Sequence, residues 1–570
     1  MRAGWQRRCR GWLASGFVVV TCITVTAGIF AKESDDEDRD GRGGGKGPIP
    51  LTVPKAVCGA EDHPETGLQG QVPAPLRMTG FKGFNCNLTL IGSSPGEGAS
   101  WQHAFFADRS RHQCSYYDTA SPEDFLPPST TDTFARDPNG KNELNLRQHL
   151  GVVALDVTNP RKPMPTTYLT TSAMLDPWES MKVNERRQML GAELGTNAAG
   201  TGQLDLYDIR DDCRYPQLLS SVLTGSAANG DAAALPAGET LAGHEGNFAP
   251  DGLTWYSGDR GTPKKYTATD ISDTSHPRLI TTWTLPEIYP TSITTHGLTL
   301  NEEGTRAYVS QAGVLADPTQ IATAVPTNGI IILDTSDVQA RKPNPQMRLV
   351  SRLVWKDGGQ TQHTIPIKIR GKAYLIVAEE VGSGGNSSAG WNAACNAGLP
   401  PFNMARIVDI SDDTNPKIVS RLMLEIHNPA NCSKVLPDLV GLGSFTYGSH
   451  YCSVDNKHNA TTLACGYFNS GIRVFDIRNP YRPREIAYFN PPAATSFRYG
   501  SNHYSPNASS FNSVKSQVGG GADWCNAQIR LDAEEGTLQT TCQDSGFLSL
   551  KFRRGVWPFP ESSTPPGAQN

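Results

Sequence analysis

The sequence predicts an all-β chain folded as a single β-propeller, most simply seven four-stranded blades, stapled by disulfides. Three observations lead there. Glycine (56) and proline (41) are abundant and only 19% of the 570 residues are charged. Such a turn-rich, sparsely charged composition suits many short strands and excludes a coiled coil, a helical solenoid or a disordered chain. Second, a strand–Asp–turn–Pro pattern recurs six times. Third, another pair of short apolar runs lies upstream of each copy, so one repeat holds four strands, the content of one blade. The formal net charge of −5 argues against a nucleic-acid binder that works through a basic surface.

Taken in order, residues 1–31 open with Arg2, Arg7, Arg8 and Arg10, followed by an apolar run from Trp12 to Phe30 with small residues near its end. This reads as a signal peptide or an uncleaved signal-anchor, so the protein is expected to be exported: periplasmic, cell-surface or secreted. Membrane contact is expected only through that segment. Residues 32–50 are acidic and then glycine-rich, a linker that cannot bury a core. The propeller is expected over 80–555 and a disordered tail over 556–570.

Apart from Cys9 and Cys22 in the leader, ten of the twelve cysteines remain, an even number in an exported chain, and disulfides are the natural reading. Cys452 and Cys465 flank the turn DNKHNA, and Cys525 and Cys542 flank DAEEGT, so each pair can bridge one hairpin. Connectivity among Cys58, Cys86, Cys114, Cys213, Cys395 and Cys432 stays open. No CxxC is present to suggest a zinc knuckle.

A first blade is expected to start near Phe84. The repeats follow, centred on Asp156, Asp208, Asp270, Asp334, Asp409 and Asp476, at intervals of 52, 62, 64, 75 and 67 residues. These intervals exceed a minimal blade because loops such as GSGGNSSAGWNAACNAGLPPFN are inserted between strands. A last, degenerate blade, NAQIRLDAEEGTLQTTCQDSGFLSLKF, carries Lys551 in place of the aspartate. Each Asp stands at a strand end before a tight turn, where its carboxylate can accept backbone N–H bonds, which is a structural role.

The strings ALDVTNPRKP, IVDISDDTNPKIV and VFDIRNPYRP resemble LVIVD repeats, the blade motif of exported bacterial β-propellers. The resemblance covers about residues 145–490 directly. It implies the fold and export and names no reaction.

The candidate chemistry lies in the histidines. With the inner strands aligned by their turns, His244, His296, His363 and His450 each fall four residues before an apolar position (Phe248, Leu300, Ile367, Val454). Glu179 holds that register before Val183. Inner strands line the axial channel, so these side chains are expected to converge as a site for Zn, Cu or Fe. His103, His112, His149, His276, His427, His458 and His503 share no register and read as surface or turn residues. No phosphate loop, GxSxG elbow or HExxH is present. Two functions follow. One is a binding or scaffold module that holds an unidentified protein or small molecule at a propeller face. The other is a metal-dependent oxidoreductase or hydrolase built on the histidine ring.

Overall fold

The computed structural model describes residues 51–560, apart from 78–79, 97, 100, 120–148, 196–201, parts of 227–236, 287–292, 314–320, 322, 324, 441, 443–444 and 494–521. The expected leader and linker, the tail beyond 560 and His503 lie outside the described residues.

Seven antiparallel sheets form the blades. Blade one comprises His103–Ala107, Gln113–Asp118, Val152–Asp156 and Met164–Leu169. Blade two comprises Lys182–Asn184, Met189–Glu193, Gln203–Asp208 and Gln217–Leu223. Blade three is Gly243–Phe248, Thr254–Asp259, Lys265–Asp270 and Arg278–Thr284. Blade four is Ile293–Leu300, Arg306–Gly313, Asn328–Asp334 and Arg348–Trp355. Blade five is Gly359–Ile369, Lys372–Val381, Arg406–Asp409 and Lys417–Arg421, and blade six is Cys452–Val454, Thr462–Gly466, Ile472–Asp476 and Arg484–Asn490. Blade seven takes Arg530–Asp532, Thr537–Cys542 and Gly546–Phe552 from the end of the chain.

The ring closes differently from the sequence expectation. Phe84 does not begin blade one. Phe84–Cys86 pairs with Arg484–Asn490 as a fifth, outermost strand of blade six, and Leu88–Ser94 pairs with Gly546–Phe552 as the outer strand of blade seven. The first two and the last three described strands therefore lie in neighbouring sheets, those of blades six and seven. Such a closure satisfies backbone groups that an open edge would leave unpaired. Residues ahead of these strands also pack on the body, since Val53, Val72 and Phe81 are buried, as is Trp557 beyond blade seven.

The first strands of blades one to five contact one another in succession, as do those of blades six and seven, which makes them the wall of the axis. The third strands are apolar on both faces because each sheet is covered by a neighbour on either side. In blade four, Ile330, Ile331, Ile332 and Leu333 are all fully buried, each contributing about 1.5–3 kcal/mol. In blades one to six the third strand ends on the repeat aspartate. Asp156, Asp208, Asp270, Asp334, Asp409 and Asp476 each accept a hydrogen bond from the backbone N–H two residues on, at 2.8–3.1 Å. Lys551, paired with Thr537 at the start of its neighbouring strand, stands in the aspartate's register in blade seven.

Cys452–Cys465 and Cys525–Cys542 are bonded as expected, and the other pairs are Cys58–Cys86, Cys114–Cys213 and Cys395–Cys432. The long insertion of blade five is not merely a loop. It carries the helix Ser388–Asn396, capped by the Ser387 side chain and anchored by buried Trp391 and the Cys395–Cys432 bond.

Candidate metal centre on the propeller axis

At the entry of three successive inner strands the ladder slips by one or more residues: between Gly243 and Glu245, between Thr295 and Leu298, and between Thr361 and His363. A β-bulge re-aims the side chain it contains. In blades three and four the residues set free are His244 and His296. Blade two delivers Glu179 and blade six delivers His450 from the segment just ahead of the inner strand.

These four converge. Glu179 Oε2 lies 3.1 Å from His244 Nε2 and 3.5 Å from His296 Nε2, and Glu179 Oε1 lies 3.0 Å from His450 Nε2. The two imidazole nitrogens of His244 and His296 face each other at 3.1 Å. Glu380, on the second strand of blade five, adds Oε2 at 3.6 Å from His296 Nε2 and Oε1 at 3.8 Å from His450 Nε2. Glu245 sits behind His296, 3.3 Å from its Nδ1. This is the carboxylate support that metal-bound imidazoles commonly have.

His363 is not part of this convergence. Pairing counted from the repeat aspartates puts Thr361 opposite Glu379, just as Gly243 lies opposite Asp259 and Thr295 opposite Gln311. The bulge residue of blade five is therefore Gln362, and its Nε2 donates to Glu179 Oε1 at 2.8 Å. His363 points to the next blade, accepting a 3.3 Å bond from the Cys452 N–H and packing on the Tyr451 ring. Alignment on the apolar Ile367 is one residue out of register, and a one-residue slip turns a side chain to the other face. His103 and His427 also differ from expectation, since both are buried. His103 bonds Gln528 O and Ser115 Oγ, and His427 bonds Leu424 N and Tyr447 O. Gln362, Glu380 and Glu245 were not singled out in the sequence. Two acidic residues ending the apolar strand KAYLIVAEEV were the available signal.

The electrostatics are those of a buried cluster of opposed charges. Burial works against the charge on Glu179, yet the charge on His296 and the facing imidazoles of His244 and His450 hold its carboxyl well below the usual range. Burial likewise opposes ionisation of Glu380, and the facing imidazoles of His296 and His450 pull it down to about 2. Burial disfavours the His450 cation, but Glu179 and Glu380 push it up to about 9. Burial, followed by the Arg260 and His296 charges, holds His244 down to about 3. The two carboxylates thus draw positive charge into the cluster. Lys182, whose Nζ is 3.5 Å from Glu245 Oε1, flanks it.

The donors fit a transition-metal ion. Ligands held at about 2.0–2.2 Å from one ion sit roughly 3–3.5 Å from each other, and Glu179, His244 and His296 form a triangle of 3.1, 3.1 and 3.5 Å. Glu179 Oε2, Glu380 Oε2 and His450 Nε2 are buried without a hydrogen-bond partner of acceptable geometry, a condition native interiors rarely tolerate unless an ion or water meets the group. Imidazole nitrogen with carboxylate oxygen suits Zn, Cu or Fe.

One end of the cluster is closed by aromatic rings. Trp101 packs with its ring tilted, 5.1 Å from His450 and 5.1 Å from Trp178, and Phe468 lies 5.1 Å from His450 and 5.0 Å from Trp524. Trp178, Phe445 and Phe468 hold left-handed backbone (φ 47°, 62° and 36°). Bulky side chains adopt that conformation only under strong tertiary constraint.

Among solved structures, the chain is similar to the periplasmic gluconolactonase PpgL of Pseudomonas aeruginosa (TM-score 0.39, 11% identity, covering 71% of this chain and 95% of that one). It is also similar to the Cps50 (Swd1) β-propeller domain of Myceliophteria thermophila (TM-score 0.41, 8% identity, covering 80% and 96%). A functionally unknown protein from Desulfotomaculum acetoxidans matches with TM-score 0.36 and 11% identity over 75% and 89%. No family model and no curated protein matches the chain. Likeness at these scores carries no inference about reaction or ligand.

Proposed function

We propose that this chain is an exported, metal-dependent β-propeller enzyme, an oxidoreductase or hydrolase whose Zn, Cu or Fe centre sits on the axis. Glu179, His244 and His296 hold the metal on one face, with His450 and Glu380 adjoining. The observation that carries the reading is the convergence of Glu179, His244 and His296, whose ligand-type atoms stand 3.1–3.5 Å apart in a fully buried cluster. Two imidazoles and one carboxylate on a single face leave positions free for substrate, an arrangement typical of redox-active non-haem iron sites. A bound metal supplies Lewis acidity or a redox couple there. The chain's own residues do the rest: Gln362 and Glu245 fix the orientation of Glu179 and His296, and Trp101 and Phe468 keep water from His450. Export is supported by five disulfides, which persist in oxidising compartments, and by the resemblance of the repeats to the LVIVD motif. Among the described residues no helix is long and apolar enough to cross a membrane.

A second reading keeps the metal structural and makes the propeller a binding or scaffold module. It is favoured by the stapled insertion on blade five, where a disulfide fixes a helix on a long inter-strand connection, as recognition loops on rigid scaffolds are fixed.

Metal analysis of protein purified without a histidine tag tests the main reading. Wild type should retain a transition metal, and His244→Ala combined with His296→Ala should lose it while all five disulfides form. Metal-free wild type that stays metal-free after incubation with Zn, Cu or Fe salts would leave the binding-module reading.

A further inference from the structure

We infer that the axial centre is dinuclear, with Glu179 and Glu380 bridging two ions. The inference rests on the metal-binding reading above and extends it to the number of ions and the ligands of each.

The two oxygens of Glu179 face different imidazoles. Oε2 is turned to His244 and His296, at 3.1 and 3.5 Å, and Oε1 to His450, at 3.0 Å. Glu380 repeats the division, with Oε2 toward His296 at 3.6 Å and Oε1 toward His450 at 3.8 Å. Both carboxylates therefore span the same two positions. One position is bounded by His244 and His296, the other by His450. On the axis, the ligand-type residues close enough to share an ion fall accordingly into two overlapping triads: Glu179–His244–His296 and Glu179–Glu380–His450. Glu179 belongs to both.

The orphaned atoms agree with this division. Glu179 Oε2 belongs to the first position and His450 Nε2 to the second, and their side chains are 1% and 0% exposed. An ion at the first position alone leaves His450 Nε2 buried and unmet, which is costly. His450 Nδ1 already bonds Asn526 O, which turns Nε2 inward, where a second ion would take the place of its proton. The Gln362 bond to Glu179 Oε1 does not block this, because a carboxylate oxygen has a lone pair for each partner. Carboxylate-bridged ions typically stand about 3.5–4 Å apart.

Charge sets the order of filling. Glu179, Glu245 and Glu380 face Lys182 and Arg260, which act on them electrostatically. A first dication displaces the imidazole protons and offsets the carboxylate charge in their place. The second meets added positive charge and binds more weakly, with hydroxide from solvent water as the natural bridging anion.

The test uses the full-length, tag-free protein, stripped by chelator and titrated with Co(II). Bound metal is counted after gel filtration, and the Co(II) EPR signal is followed at each addition. Two equivalents should bind, the second more weakly, and the second should suppress the signal of the first through magnetic coupling. Glu380→Gln and His450→Ala should each bind one equivalent with an uncoupled signal. A wild type that saturates at one equivalent, or binds two that remain magnetically independent, overturns the dinuclear centre and leaves the metal reading standing. Binding of none overturns both. If either variant fails to form its disulfides, the wild-type stoichiometry and coupling decide alone.

Discussion

Gln362 of blade five donates a 2.8 Å hydrogen bond to the Glu179 carboxylate of blade two, 183 residues away in sequence. The bond exists because the bulge between Thr361 and His363 turns Gln362, not its neighbour, toward the axis.

Exchanging roles between these neighbours therefore separates them experimentally. Gln362→Leu should weaken metal affinity by about 10–100-fold, the usual effect of losing a residue that orients a ligand. His363→Gln should leave it within about twofold. Competition against a chromogenic chelator measures both, and the reverse ranking would place His363 in the site.

The two classes of disulfide should differ in their effect on stability. Cys114–Cys213 closes a loop of 99 residues and Cys452–Cys465 one of 13. Chain-entropy reasoning gives about 4–5 kcal/mol for the first and about 3 kcal/mol for the second. Denaturant unfolding of the paired Cys→Ser variants should show the larger loss for Cys114 and Cys213.

Much of this architecture is legible in the sequence, for a physical reason. Every blade needs a tight turn after its third strand, and the aspartate that caps it recurs visibly from Asp156 to Asp476. The closure is not legible, because Leu88–Ser94 pairs with a strand over 450 residues away and carries no repeat aspartate of its own. At the axis, period-two alternation finds Glu179, His244, His296 and His450. It fails at His363 because Ile367 stands one residue out of register with Phe248, Leu300 and Val454, and it misses Glu380 because that residue comes from a second strand.

Leu88 and Leu90 lie on the closing strand, the first fully buried and the second 41% exposed. Leu88→Ala should cost about 2–5 kcal/mol, as large-to-small changes in a core do, and Leu90→Ala no more than about 1 kcal/mol. Equal, small effects in thermal unfolding would mean the ring does not depend on this strand.

Burial holds His427 down to about 4, although its bond to Tyr447 O favours the charged ring. Its Nδ1 accepts the Leu424 N–H and must stay unprotonated to do so. The unfolded chain takes up this proton near 6.5 and the folded protein only near 4. Stability from this group is therefore full above 6.5 and falls as pH drops toward 4, by about 3 kcal/mol at most. His427→Gln lacks this loss. The stability gap between wild type and variant should narrow from pH 7 to pH 4, and a constant gap in urea titrations would contradict the assignment.

The most direct test of the metal centre is an anomalous diffraction map of the tag-free protein, collected above and below the absorption edge of the metal it carries. The account predicts anomalous density on the axis within about 2.0–2.3 Å of Glu179, His244 and His296, with His363 outside the coordination sphere. A map with no axial peak from metal-soaked crystals, with these side chains bonded only to one another, would contradict it.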